Sequence, residues 1–203
     1  MGHYFTNEPG AQHAPRTLTV TLRGRQVQVT TDAGVFSTSR LDPGTTVLLA
    51  QAGEVPPSGT LLDLGCGWGP IALTMAMASP GARVLAVDVN TRALELTAQN
   101  AEHLGLVNVV TATPEDVLAA EPDLRLDAIW SNPPIRVGKA VLHEMLRTWL
   151  PRLAPGASAQ LVVAKNLGSD SLQRWITSDL GLPTSRRASA KGFRVLQVST
   201  PEE

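Results

Sequence analysis

From Thr60 onward the sequence alternates short, continuously apolar runs with stretches whose apolar residues recur at helical spacing. The runs lie at residues 60–64, 83–89, 107–111, 126–131 and 159–164, and the helical stretches at 70–78, 91–104, 115–120 and 139–153. In the last of these, Leu142, Leu146, Trp149, Leu150 and Leu153 share one face. A strand that is apolar at successive positions, and not only at every second one, is buried on both sides. A parallel sheet covered by helices on both faces provides that environment. The spacing predicts another helix over 169–180, carrying Leu172, Trp175 and Ile176. A terminal antiparallel pair at 183–188 and 193–199 turns at Ala190-Lys191-Gly192. Ahead of the sheet, Leu18, Val20 and Leu22 alternate toward Arg23-Gly24-Arg25, and Val27 and Val29 follow it, as in a hairpin. Asp42-Pro43 opens a helix over 41–52, an N-cap followed by a proline at the first helical position. The expected fold is a doubly wound α/β structure with a seven-stranded, mostly parallel sheet. Residues 1–53 form a hairpin-and-helix extension packed on a main domain of residues 54–203.

Composition narrows the classes of function. With 43% hydrophobic residues and a net charge of −1, the chain can build a core and is not a disordered polyelectrolyte. Cys66 is the single cysteine and the four histidines are dispersed, so neither a disulfide framework nor a metal centre is expected. No apolar run approaches a membrane span and the first residues lack a signal-peptide core, which suits a cytoplasmic protein, expected to be a monomer. Charge is uneven along the chain: residues 54–127 carry −7 and residues 128–203 carry +5. The positive last third suits either a nucleic-acid partner or an unevenly charged solvated surface.

The first strand of the sheet runs through Asp63 into Gly65-Cys66-Gly67-Trp68-Gly69-Pro70. Glycines allow a tight turn and let a ligand approach the backbone at the following helix. Pro70 stands where a dinucleotide-binding loop would place its third glycine, and it removes an N–H that could hold a pyrophosphate. Asp63 is suited to an ammonium group. Asp88 closes the second strand, where an acid accepts ribose hydroxyls. Asp116 follows the third strand and can accept from the exocyclic amine of a purine. These preferences outline S-adenosyl-L-methionine and not a nicotinamide dinucleotide. Cys66 and Trp68 read as pocket wall.

The fourth strand ends in Asn132-Pro133-Pro134-Ile135. The following proline holds Asn132 extended, and the two prolines leave carbonyls without competing N–H donors. The Asn132 side-chain oxygen and the Pro133 carbonyl are expected to accept both hydrogens of a planar amine. Their bonds strengthen as positive charge develops on its nitrogen, so catalysis is positional and electrostatic.

Asp63-Leu-Gly-Cys-Gly, Asp88-Val-Asn and Ser131-Asn-Pro-Pro-Ile together resemble the class I S-adenosylmethionine-dependent methyltransferases that act on amines. More narrowly, the chain resembles the bacterial small-subunit (16S) ribosomal RNA guanine-N2 methyltransferases in a single-domain form. That similarity extends through His3-Tyr-Phe-Thr-Asn-Glu-Pro, Gly34-Val-Phe-Ser, Leu41-Asp-Pro-Gly, Gly138-Lys139 and Gly192-Phe-Arg-Val-Leu. The resemblance implies that Gly65, Cys66, Gly67, Asp88, Val89 and Asn132 contact the cofactor and that Asp116 meets its adenine. It implies that Asn132, Pro133, Pro134 and Ile135 hold the target amine. Phe36 is expected to line the substrate side, and Arg136 and Lys139 to contact RNA phosphates. Longer family members carry two tandem halves, of which this chain matches the cofactor-binding one. Family members often carry an aromatic residue where this chain has Ile135, so either another ring stacks on the target base, with Phe36, Trp68 and Phe5 as candidates, or the substrate differs. Methylation of a protein glutamine amide or a small-molecule amine, or a non-catalytic RNA-binding module, are the alternatives the motifs leave open.

Overall fold

A computed structural model describes residues 13–201. The sequence expectations for Phe5 and for the motif at residues 3–9 lie outside the described residues. β1 (Arg16–Leu22) and β2 (Arg25–Thr31) form the hairpin, followed by α1 (Pro43–Gln51). The main sheet comprises β3 (Ser58–Leu64), β4 (Gly81–Val87), β5 (Val109–Ala112), β6 (Leu126–Ser131), β7 (Leu153–Ala164), β8 (Thr184–Ala190) and β9 (Phe193–Ser199). Between these strands run α2 (Pro70–Ala78), α3 (Thr91–His103), α4 (Pro114–Ala120), α5 (Lys139–Trp149) and α6 (Ser169–Asp179).

The strand order is β5-β4-β3-β6-β7-β9-β8, with β9 antiparallel to both of its neighbours. β3 pairs in parallel with β4 on one side and β6 on the other. The chain therefore builds outward from β3 in one direction, then returns to build in the other. Ligand crevices of open α/β sheets lie at the carboxyl ends of strands at such a reversal.

Successive residues of the central strands feed two cores. Leu61, Ala128, Trp130, Val162 and Val195 belong to one, and Leu62, Leu64, Ile129, Leu161 and Leu196 to the other. The first core also takes Val20, Leu22 and Val29 from the hairpin and Val47, Leu48 and Leu49 from α1. The extension thus shares a core with the sheet. Polar bonds fix its orientation. Arg23, at the hairpin turn, donates to the carbonyls of Leu49, Ala52 and Gly53 at the end of α1 and lies 4.9 Å above the Trp130 ring.

Several boundaries differ from those the sequence suggests. α5 stops at Trp149 and continues as a 3-10 turn over Leu150–Arg152, because Pro151 has no N–H to extend the α-helical ladder. β7 begins at Leu153, ahead of the strand expected over 159–164, and runs through Pro155-Gly156; a register shift between Leu126 and Ala128 absorbs them. β5 begins at Val109, leaving Val107 98% exposed despite its apolar side chain.

Asn100 in α3 is nearly fully buried and joins three parts of the molecule. Its Oδ1 accepts from Thr30 N at 2.7 Å, while Nδ2 donates to Thr30 O and to Trp68 O, each at 2.9 Å. Asn100→Ala would strand backbone groups of both the hairpin and the glycine loop, a loss of about 2–3 kcal/mol. Urea unfolding should show that loss, whereas Val107→Ser at the exposed position should stay within about 0.5 kcal/mol of the parent.

Candidate active site

The glycine turn is set by backbone bonds between neighbouring strands. Gly65 N and Cys66 N both donate to Val87 O, at 2.8 and 3.1 Å, which folds the end of β3 across the end of β4. Gly67 N then donates to Asp88 Oδ2 at 3.0 Å, and Asn90 N to Asp88 Oδ1 at 3.0 Å. Asp88 therefore organises the loop as well as facing the cavity. Burial raises its pKa above the ordinary carboxylate value, against the pull of the Asn90, Gly67 and Val89 backbone N–H groups. Gly65 and Gly67 have φ of +82° and +59°, and a Cβ added to either would meet nothing within 4 Å. Bare backbone here faces open space. Gly69 is different, because an added Cβ would come within 3.0 Å of Thr97.

On the other side of β3, Ser131 Oγ donates to Leu64 O at 2.6 Å and locks the end of β6 to the glycine turn. Asn132 follows. Its Nδ2 donates to Asp42 Oδ2 at 2.7 Å and to Thr45 Oγ1 at 3.0 Å. Asp42 is also the N-cap of α1, accepting from Thr45 N at 2.9 Å. The expectation that the prolines leave their carbonyls free needs correction. Pro133 O accepts from Ile135 N at 2.8 Å and Pro134 O from Val137 N at 3.1 Å, because the chain turns at once into a 3-10 helix over Ile135–Val137. A carbonyl oxygen has two lone pairs, so Pro133 O retains one.

A cavity of about 800 Å³ opens between these turns, in the upper part of the ~300–1,000 Å³ range of small-molecule sites. Gly65, Gly67, Asp88, Val89, Asn132, Pro133, Pro134, Ile135 and Phe36 line it. Phe36 reaches the rim because its loop is tied to α3: Asn90 Nδ2 donates to Gly34 O and Arg92 Nη1 to Ala33 O.

Four other sequence-selected residues lie elsewhere. Asp63 is fully buried beneath the loop, outside the cavity lining, with Oδ2 accepting from Ala72 N at 2.9 Å and Oδ1 unpartnered. It buttresses α2 instead of meeting a ligand's ammonium group directly. Cys66 lines only a small adjoining pocket, and burial, with the charges of Asp88 and Asp63, pushes its thiol well above the ordinary value. Asp116 is exposed and accepts from the N-cap Thr113 at 2.7 Å, while its neighbours Pro114, Glu115 and Leu118 line the cavity. Lys139 is exposed at the start of α5, away from the lining. Two further residues line the cavity without a local sequence pattern that marks them as site residues: Asp42, legible only as a helix cap, and Phe193, whose ring lies 3.0 Å from where a Gly44 Cβ would stand.

The donor set decides which cofactor fits. Asp42, Asp88 and Glu115 line the cavity, and among the described residues lining it there is no lysine or arginine. Such a wall repels a pyrophosphate and suits an adenosyl group carried on a cationic chain. Bare glycine backbone beside Asp88 gives that ligand its seat. Among the described residues no cluster of His, Cys, Asp and Glu could hold a metal ion. No helix there is long and apolar enough to cross a membrane.

The class is that of the methyltransferases. The chain belongs to the methyltransferase small domain family, which matches residues 26–197. It is 32% identical over 169 residues to the uncharacterized protein YbxB of Bacillus subtilis, covering 83% of this chain and 84% of that one. It is 33% identical over 192 residues to ribosomal RNA small subunit methyltransferase C of Pseudomonas aeruginosa, covering 93% of this chain and 55% of the relative. Its fold matches that of a T. thermophilus 16S rRNA N2 methyltransferase (RsmC), solved in complex with AdoMet and guanosine, with a TM-score of 0.79 and 24% identity. That match covers 92% of this chain and 50% of the solved one, so the chain spans about half the length of these named methyltransferases.

Burial pushes the Asp63 carboxyl from 3.8 up to about 8; the nearby Asp88 charge adds to the rise and the Ala72 N–H opposes it. The folded protein then holds a proton that the unfolded chain has released, so stability falls as pH rises from 3.8 toward about 8. Urea midpoints between pH 5 and pH 8.5, on the order of that window, should decline in the parent and flatten in Asp63→Asn, which keeps an oxygen for Ala72 N.

Proposed function

We propose that the chain transfers a methyl group to the exocyclic N2 amine of a guanine in small-subunit ribosomal RNA. The observation that carries this reading is the placement of Asn132 and the Pro133 carbonyl on the same cavity wall system as Gly65, Gly67 and Asp88. Acceptors for an amine thereby adjoin the seat of the cofactor. Bound there, S-adenosylmethionine supplies an electrophilic methyl group. Gly65, Gly67, Asp88 and Val89 would hold it, and Pro114, Glu115 and Leu118 line the same cavity.

The amine nitrogen of guanine is weakly nucleophilic because its lone pair is delocalised into the ring. Asn132 Oδ1 and the remaining lone pair of Pro133 O accept its two hydrogens and aim the nitrogen at the methyl. As the C–N bond forms and the sulfonium–methyl bond breaks, its electron pair staying on sulfur to leave S-adenosylhomocysteine, positive charge would grow on the nitrogen and both hydrogen bonds would strengthen, which is transition-state stabilisation without a conventional base. The extra proton then leaves to solvent. A guanine within a helix must be unstacked to enter.

Ile135 lines the cavity where an aromatic platform was expected. Of the alternatives, Trp68 is 1% exposed and belongs to the core, whereas Phe36 is 64% exposed at the rim. Phe36 is the ring placed to stack on the base. The relatives named for ribosomal RNA methylation and the +5 charge of residues 128–203 favour RNA over a protein or small-molecule amine. Arg136 and Lys139 follow the Asn-Pro-Pro turn directly and are proposed as phosphate contacts.

The decisive assay incubates the protein with tritiated S-adenosylmethionine and unmodified small ribosomal subunits or their naked RNA, then separates nucleosides. Label in N2-methylguanosine is the expected result; label only in protein glutamine or in a small amine would overturn the substrate. Asn132→Ala should lower kcat by about 10²–10³-fold with S-adenosylhomocysteine affinity little changed. Phe36→Ala should raise the KM for RNA by roughly tenfold, within the ~1–3 kcal/mol of a base–aromatic stack, and leave cofactor affinity unaltered in calorimetry.

A further inference from the structure

Asn132 can serve an amine only with its amide oxygen turned toward it. Half a rotation about the last side-chain bond exchanges oxygen and nitrogen at almost equal volume, and would set a donor against a donor. The backbone turn does not distinguish these two states. The neighbours do. Nδ2 lies 2.7 Å from Asp42 Oδ2 and 3.0 Å from Thr45 Oγ1. A carboxylate has no hydrogen to give, so the amide atom beside it has to be the nitrogen. The reversed amide would place two acceptors in contact.

Asp42 is itself firmly held. Its Oδ2 caps Thr45 N at 2.9 Å, and its carbonyl accepts from Thr46 N at 2.8 Å. A Cβ at Gly44 would fall 2.9 Å from Asp42 Oδ2 and 3.0 Å from the Phe193 ring, so the turn after Asp42 has no spare space for a side chain. Thr45 is buried, and α1 is anchored through Leu48 and Leu49 in the core it shares with the sheet.

We propose that Asp42, assisted by Thr45, is a positioning residue that fixes the Asn132 amide with its oxygen toward the target amine. The helix preceding the sheet is thereby part of the catalytic apparatus. The catalytic consequence rests on the methyl-transfer reading above; the orientation of Asn132 does not.

Two measurements on the full chain test this separately. Asp42→Ser keeps an oxygen to cap α1 but withdraws the acceptor from Asn132, whereas Asp42→Asn can still present an amide oxygen to it. In nitrogen-15 NMR spectra, the Asn132 side-chain NH₂ pair is assigned by its disappearance in Asn132→Ala. It should exchange slowly with solvent in the parent and in Asp42→Asn, and markedly faster in Asp42→Ser. In methyl transfer to small-subunit RNA, Asp42→Ser should lose about 10²-fold in kcat. Asp42→Asn should recover most of that loss. Thr45→Val removes the second acceptor without touching the cap side chain and should give a smaller change of the same kind, which keeps the test available if Asp42→Ser does not fold. Unaltered NH₂ exchange in Asp42→Ser, or an Asp42→Asn variant as slow as Asp42→Ser, would overturn the proposal. If the parent methylates no RNA, the substrate assignment fails and the NH₂ resonances alone decide the positioning.

Discussion

Parallel pairing of β3 with β4 on one side and β6 on the other is the constraint from which the site follows. The carboxyl ends of the three strands emerge together, and the chain leaving each must turn away at once. At β3 it turns on glycines whose N–H groups reach Val87 O and Asp88. At β6 it turns on prolines, with Ser131 Oγ binding the carbonyl of Leu64. The two turns are different solutions to the same crowding. One exposes bare backbone to a ligand, the other projects a single amide side chain, and the cavity lies between them.

The N-terminal extension completes that cavity instead of decorating the domain. Its hairpin is tied to α3 and the glycine loop by Asn100, its turn residue Arg23 caps α1, and its loop carries Phe36 to the rim. α1 in turn brings Asp42 against Asn132. The Asn100 tie uses a buried side chain with its partners in place, and an unpaired group there would cost about 1–3 kcal/mol.

Much of the fold was legible because its signals are local. α2, β6 and β9 begin and end where proline, apolar periodicity and turn residues place them. The boundaries that moved did so where a local signal competes with pairing: the strand expected over 159–164 begins at Leu153 and runs through Pro155-Gly156. At the site, Gly65, Gly67, Asp88 and Asn132 could be found because strand ends and special backbone residues mark themselves. Asp63 could not be placed correctly, since sequence shows a carboxylate beside a loop but not which side of the loop it faces. Asp116 and Glu115 are adjacent, and only the phase of a short helix decides which one meets the cavity. The Asp42–Asn132 contact spans 90 positions and joins a helix cap to a strand end, so nothing in either local pattern announces it.

Charge unites the two ends of this argument. Residues 54–127 are strongly acidic, and part of that excess is concentrated where β3, β4 and α4 converge: Asp88 and Glu115 on the cavity wall, Asp63 just beneath it. Burial raises the proton affinity of Asp63 and Asp88, and the Asp88 charge adds to the rise at Asp63. A cationic ligand at this wall would favour the ionised forms. The same wall would oppose a polyanion. On the proposed methyl-transfer reading, a nucleic acid presents a neutral base to Asn132 and keeps its phosphates off that wall, and residues 128–203, the segment that contains Asn132, carry the +5 charge that such phosphates require.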